Sequence, residues 1–467
     1  MVENVLLKRN VAGLWAGVFQ SLAYVAPAAV AASFFVVEAS VAGAAVPLTF
    51  LLAIIGVASA MYMNYEFSKR ISHAGGYYAY VSAGLGPRFG AFSAWLYWVN
   101  VLGALVGFSV LFFAGVLQPL VPGLAGNTYG WIPLAFIPIA IIFLLLYFGL
   151  KPSLYYTLIG SLIEVSFLII VSIVIITSPQ TTNSFAPFTT EGVSASQLGL
   201  ATVYAILGFV GLGSVITLSE ELGRPKRTVP KAIILALVIG AVVYVLSSYA
   251  FVVGWGLNDI NGFASATNPG FIIVNKYLGP IAMSIFIIIT LNSFISNGIA
   301  EGNAFTRLGF AMSRDRILLN RRLATVDPRT GAPKRIVIFS FAITTALSLI
   351  AGLLLKDPFL AATVVTTVNG ASLYIVHILA NISLPVYGHR KLRVLKKWLP
   401  FALGPVIATI VYAYALFGVF TAPLNGVDAL IMIIVIVVVV IGIILASLIH
   451  IGKTREEMET IGREIEA

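Results

Sequence analysis

The sequence of 467 residues has no cysteine, four histidines and few charges: Asp, Glu, Lys and Arg together make up 10% of it. Without thiols there is no disulfide framework, no cysteine nucleophile and no thiolate-ligated zinc or iron–sulfur centre. His73, His377, His389 and His450 are scattered, so no His-rich metal site is indicated and no metal or cofactor is expected. No Walker-type phosphate loop, HExxH helix or GxSxG elbow occurs, which leaves hydrolytic chemistry unsupported and an enzyme unexpected. Soluble domains carry about 25% charged residues; this chain, with 59% hydrophobic residues, excludes both a soluble enzyme and a disordered protein. What the sequence has instead is apolar runs from end to end, each long enough to cross a bilayer.

Turn residues and charges divide these runs into twelve expected transmembrane helices, at 11–37, 43–67, 87–118, 131–150, 153–177, 197–219, 230–256, 277–308, 335–355, 358–386, 399–420 and 427–450. The fold class is therefore an all-α integral membrane protein, with 1–10 and 451–467 outside the bilayer. With the N-terminus inside, every Lys and Arg of the 28 falls on the inner side except Lys276 and Lys356. This positive-inside bias supports the span order and places both termini in the cytoplasm, at the plasma membrane. The net charge of +10 thus faces the cytosol and anionic lipid headgroups, not nucleic acid. The polar tail from Lys453 reads as a short solvated helix.

Two spans carry helix breakers near their centres. The first has Ala26-Pro27-Ala28-Ala29, where proline removes an amide donor and clashes with the preceding turn. The sixth has Gly208-Phe209-Val210-Gly211-Leu212-Gly213. Unpaired backbone at membrane depth survives only against protein or a watery cavity. Interrupted helices at matching positions of two halves indicate an inverted-repeat transporter with its substrate at the midplane. Exposed amide and carbonyl ends suit a zwitterion such as an amino acid. Pro and Gly also occur in membrane helices for close packing alone.

Three motifs carry a resemblance. Tyr65-Glu66-Phe67, Ala74-Gly75-Gly76-Tyr77-Tyr78-Ala79-Tyr80, Gly84, Phe89 and Ala94-Trp95-Leu96-Tyr97 form the first. Phe209-Val210-Gly211-Leu212, Ser219-Glu220-Glu221, Pro225, Arg227, Pro230 and Ala232-Ile233 form the second. Asn303, Arg307, Ala311-Met312-Ser313-Arg314-Asp315 and Pro333 form the third. In this order they resemble the amino acid–polyamine–organocation (APC) transporter superfamily. The resemblance implies a LeuT-type 5+5 inverted repeat (11–177 and 197–386) with two trailing helices (399–450), and secondary active amino acid transport by alternating access. The chain departs from the pattern at Pro27-Ala28-Ala29, where a small-residue run such as GSG is usual, and at Ser72, where a proline is usual. It also has Gly213 where many members carry a carboxylate, which weakens the case for a cationic substrate such as a polyamine and favours neutral amino acids.

The embedded polar residues complete the candidate site. Glu164 lies mid-span, about 19 Å along its helix from Lys151 at 1.5 Å per residue, and an intramembrane carboxylate costs about 2.5–3.5 kcal/mol on insertion scales. In the resemblance it stands where proton-coupled relatives carry a lysine. It is read as the titrating group of a proton symport, donating when protonated to a carbonyl freed near Ala23. A Na⁺-holding carboxylate and a purely structural carboxyl are the alternatives, as is an uncoupled facilitator or exchanger. Ser293, Ser296, Asn297 and Glu301 share one face of the eighth span; the serines are candidate coupling residues or inter-helix glue. Glu301 is a coupling candidate or the partner of a cytoplasmic arginine. Phe209 resembles the family's lid over substrate, while Asn100 and Asn369 are substrate contacts or helix ties. His377 reads as structural. Glu66, Glu220, Glu221 and Arg314-Asp315 are candidates for cytoplasmic gate pairs, and Gly75-Gly76 for a turn.

Overall fold

The computed structural model describes residues 6–392, 398–421, 426–449, 451, 453 and 455–463. His450, and parts of the termini and of the basic loop after the tenth span, lie outside the described residues. Eleven helical stretches among the described residues are long and apolar enough to cross a membrane, and the chain is a multi-pass membrane protein. They are Leu14–Ser33, Phe35–Ser68, Pro87–Leu120, Trp131–Phe148, Leu150–Thr177, Pro225–Trp255, Pro269–Arg314, Lys334–Leu355, Pro358–Lys391, Phe401–Thr421 and Gly426–Leu448. These correspond to the expected spans one to five and seven to twelve. The sixth does not qualify, because its helix Ala195–Leu207 stops short and is followed by only a brief 3₁₀ turn, Ser214–Leu218.

Local chemistry sets the helix ends. Asp357 caps the tenth span by accepting from the amides of Phe359 (2.7 Å) and Leu360 (3.1 Å), with Pro358 at the first helical position. The sixth opens on a capping box in which Ser194 and Gln197 satisfy each other's amides. The stretch assigned to the eighth span is longer than expected from sequence. It begins at Pro269, and its backbone is broken at Gly279 just before Pro280. The start of this stretch packs on Pro27–Ser33, where the Ser33 hydroxyl donates to Asn268 Oδ1 at 2.5 Å, and the helix Ile260–Ser265 packs on Phe35–Ala42.

Polarity is sorted by depth. Ser293, Ser296, Asn297 and Glu301 on the eighth span and Ser161 and Glu164 on the fifth are all buried. The last two spans turn Ile433, Val437, Ile444 and Ile410 outward, as lipid contact requires. The tail helix Arg455–Thr460 forms as expected but is not simply solvated. Ile461 is buried, and Gly462 donates its amide to Asp315 at 3.2 Å.

Candidate functional site

The first span divides at one residue. Leu14–Val25 ends where Ala26 takes a left-handed conformation (φ 53°, ψ 62°), and Pro27–Ser33 begins with Pro27 at its first position. Pro27 therefore starts the second half, where it has no amide to leave unpaired. The sixth span divides over more residues. Its helix ends at Leu207, and Gly208 to Gly213 run through turns in which Gly211 adopts φ 96°. The two breaks touch each other. A methyl group on Gly211 would lie 1.8 Å from the ring of Tyr24, so only glycine fits both the backbone and the space. Tyr24, missed from the sequence, thus fills the gap between the broken helices.

Most polar backbone groups at the first break are occupied by side chains. The Tyr24 carbonyl accepts from Asn297 Nδ2, and the Val25 carbonyl from the Tyr244 hydroxyl at 3.3 Å. The Ala29 amide donates to Ser293 Oγ at 3.3 Å, and the Ala28 amide to Glu164 Oε2 at 3.5 Å. Glu164, fully buried, also accepts from Ser293 Oγ at 2.7 Å and Asn292 Nδ2 at 3.3 Å. The expected partner near Ala23 is displaced: the Ala23 carbonyl accepts from the amide of Ala26, closing the helix Leu14–Val25. Glu164 reaches the opposite, amide-bearing end, because the fifth span packs alongside both halves. Ser296 meets Asn292 at 3.4 Å, one step removed from Glu164.

The remaining candidates separate. Phe209 is buried at the sixth break with its ring 5.0 Å from Tyr244 and 6.2 Å from Phe50. Asn100 and Asn369 bond to each other, tying the third span to the tenth. His377 is buried between Tyr77 and Tyr412. Glu301 meets Ser109 on the third span, not an arginine. Gly213 lies close against two polar side chains of neighbouring helices. A methyl group there would be 2.6 Å from Asn64 Nδ2 and 2.8 Å from the Tyr77 hydroxyl. Glu38, on Phe35–Ala42, is a further buried carboxylate that the sequence reading passed over. Apart from Tyr24, the missed residues (Ser109, Asn292, Tyr244) had one legible signal, a polar group within an apolar run.

At the end of the bundle where the first span begins, the acidic candidates form ion pairs. Arg307 and Glu221 pair at 2.8 Å with both side chains fully buried, and Arg314 grips Glu220 with two nitrogens at 2.9 Å. Asp315 sits beside His73 and Arg314 and accepts from the Tyr78 hydroxyl. Burial pushes its carboxyl up, but His73, Arg314 and Tyr78 outweigh that and hold it at about 2. Glu66 pairs instead with Lys69 and Arg70 on its own helix end. The foot of the first span is pinned too, with the Val11 amide donating to the Glu221 carbonyl at 2.8 Å.

The family model of the amino acid permeases matches residues 17–459. A methylthioribose transporter of Bacillus subtilis (strain 168) is 30% identical over 64% of this chain and 66% of its own length. An aspartate–proton symporter of the same organism is 27% identical over 46% of this chain and 42% of its own, and a branched-chain amino acid permease 25% over 62% and 64%. These alignments span less than two thirds of each relative. The chain belongs to the amino acid permease family, a family of membrane transporters.

Proposed function

We propose that this amino acid permease imports neutral amino acids by proton symport, with substrate held where the first and sixth spans break. The observation that carries the reading is Glu164: a fully buried carboxylate bonded at once to the Ala28 amide of the first break and to Ser293 and Asn292 of the eighth span. Protonation removes a negative charge that competes with a substrate carboxylate for the same end of the first span's outer half. Substrate and proton therefore favour each other, and linkage makes the effect reciprocal. Ser293, Ser296 and Glu301 complete the coupling group. Ala26 to Ala29 and Gly208 to Gly213 line the substrate, with Phe209 over it and the Asn100–Asn369 pair beside it. In this reading residues 11–177 and 197–386 are the two inverted repeats, twelve spans are completed by the broken sixth, and both termini lie in the cytoplasm at the plasma membrane.

Neutral substrates are favoured because no charged residue lies within either break and the side chains against Gly213, Asn64 and Tyr77, are uncharged. A second reading, a neutral solute of the methylthioribose kind, is favoured by the relative of that name. The test is uptake by sealed proteoliposomes of radiolabelled L-leucine, L-serine, L-aspartate and methylthioribose under an inside-alkaline pH gradient. Concentrative uptake of leucine or serine that an uncoupler abolishes supports the proposal. Equilibration without concentration supports a facilitator, uptake driven by Na⁺ moves the coupling to sodium, and uptake confined to aspartate or methylthioribose replaces the substrate class.

A further inference from the structure

Glu301 is fully buried and lies eight residues beyond Ser293, about 12 Å along the helix at 1.5 Å per residue. Its partners are separate from those of Glu164. They are Ser109 on the third span and the Asn297 side chain on its own helix, which also bonds to Ser109 and to the Tyr24 carbonyl of the first span. Counting hydrogens limits the directions these bonds can take together. The Tyr24 carbonyl can only accept, so Asn297 turns its NH₂ toward it and its Oδ1 toward Ser109. Ser109 Oγ is 2.7 Å from that Oδ1 and must give its one hydrogen there. The same hydroxyl lies 3.2 Å from Glu301 Oε2 with no second hydrogen to give, so both contacts are satisfied together when the carboxyl carries a proton.

We propose that Glu301 is a second proton-binding site, distinct from Glu164, whose protonation is relayed through Ser109 and Asn297 to the Tyr24 carbonyl at the first-span break. The inference rests on the proton-symport reading and extends it to two protons per substrate. With the proton bound, the chain Glu301→Ser109→Asn297→Tyr24 is complete and ties the inner half of the first span to the third and eighth. When the proton leaves, Ser109 swings its hydrogen to the carboxylate and Asn297 Oδ1 loses its donor, which loosens that tie. The surroundings leave little else to titrate with it. Beside it, Gly298 and Gly302 of the same helix lie against Ile142 and Leu146 of the fourth span, and the third offers Ser109. The first span offers the Tyr24 phenol within electrostatic reach. Arg307, the basic residue next along the eighth span, is committed to Glu221, just after the sixth.

The test has two arms. Infrared difference spectra of the purified protein in lipid nanodiscs, titrated with acid and base, need no substrate. A protonated-carboxyl C=O band should vanish in Glu301→Gln, persist in Glu164→Gln, and shift in frequency in Ser109→Ala, where the carboxyl keeps its proton but loses its acceptor. Spectra of Glu301→Gln identical to wild type would overturn the proposal, as would a Ser109→Ala spectrum with no shift. In proteoliposomes, the proton-to-L-serine ratio from reversal measurements should fall from two to one in Glu301→Gln. An unchanged ratio would overturn it too. If none of the solutes is taken up at all, the symport reading fails while the infrared arm still decides whether Glu301 binds a proton.

Discussion

Replacing Glu164 by glutamine isolates the coupling step from the fold. Glutamine has the shape of the protonated acid: its carbonyl can keep accepting from Ser293 and the Ala28 amide, which both meet Oε2, at 2.7 and 3.5 Å, while its NH₂ takes the place of Oε1 and needs the Asn292 amide to turn its oxygen toward it. The cost to folding should stay within about 1 kcal/mol, the net value of one hydrogen bond. Alanine instead leaves buried donors at Ser293, Asn292 and Ala28 without an acceptor, roughly 1–3 kcal/mol for each orphaned group. The two variants therefore separate loss of coupling from loss of structure. One coupled proton under a gradient of one pH unit is worth about 1.4 kcal/mol, a tenfold change in limiting accumulation. In proteoliposomes with the membrane potential clamped, Glu164→Gln should lower accumulation about tenfold per imposed pH unit and melt close to wild type. A gradient dependence that matches wild type would remove Glu164 from the mechanism.

Other expected outcomes follow from the same geometry. Glu221→Gln leaves the Arg307 charge buried and unpaired, a loss of about 3–5 kcal/mol; a melting curve should show it, with recovery when Arg307→Met is added. Gly211→Ala meets both a φ of 96° and the Tyr24 ring, so uptake should be lost, and Tyr24→Ala should restore little because the backbone strain remains. Asp315 is held at about 2, below its unfolded value of about 3.9, so its contribution is complete above that value and fades as pH falls through the folded one. The melting gap between wild type and Asp315→Asn, about 2 kcal/mol of stability, should then hold constant from pH 8 to pH 5. A gap that closes within that range would show the carboxyl is not depressed.

Much of the fold was legible because lipid imposes a coarse rule on sequence. Apolar runs of the right length gave the spans outside the sixth, and Pro27 and the glycines at 208, 211 and 213 marked both breaks. The rule fails where geometry depends on neighbours distant in the chain. Tyr24 looked like one more aromatic in an apolar run, yet its ring fills the space above Gly211. Glu164 was found from its cost in a bilayer, but its partner was misplaced by the choice of half-helix, since only packing decides which end of a broken helix a side chain from the fifth span meets. From the sequence, Glu301 has an arginine at the same helix end as one possible partner; Arg307 turns to Glu221 instead. The tail was read as solvated since its composition is polar, although Gly462 reaches Asp315.

The central claim is that the two broken helices hold the solute between them. A cryo-electron microscopy map of the protein in nanodiscs with saturating L-leucine or L-serine tests it directly. The account expects density for the amino acid between Ala26–Ala29 and Gly208–Gly213, with Tyr24 displaced from Gly211. A solute bound elsewhere, with Tyr24 still seated on Gly211, would contradict it.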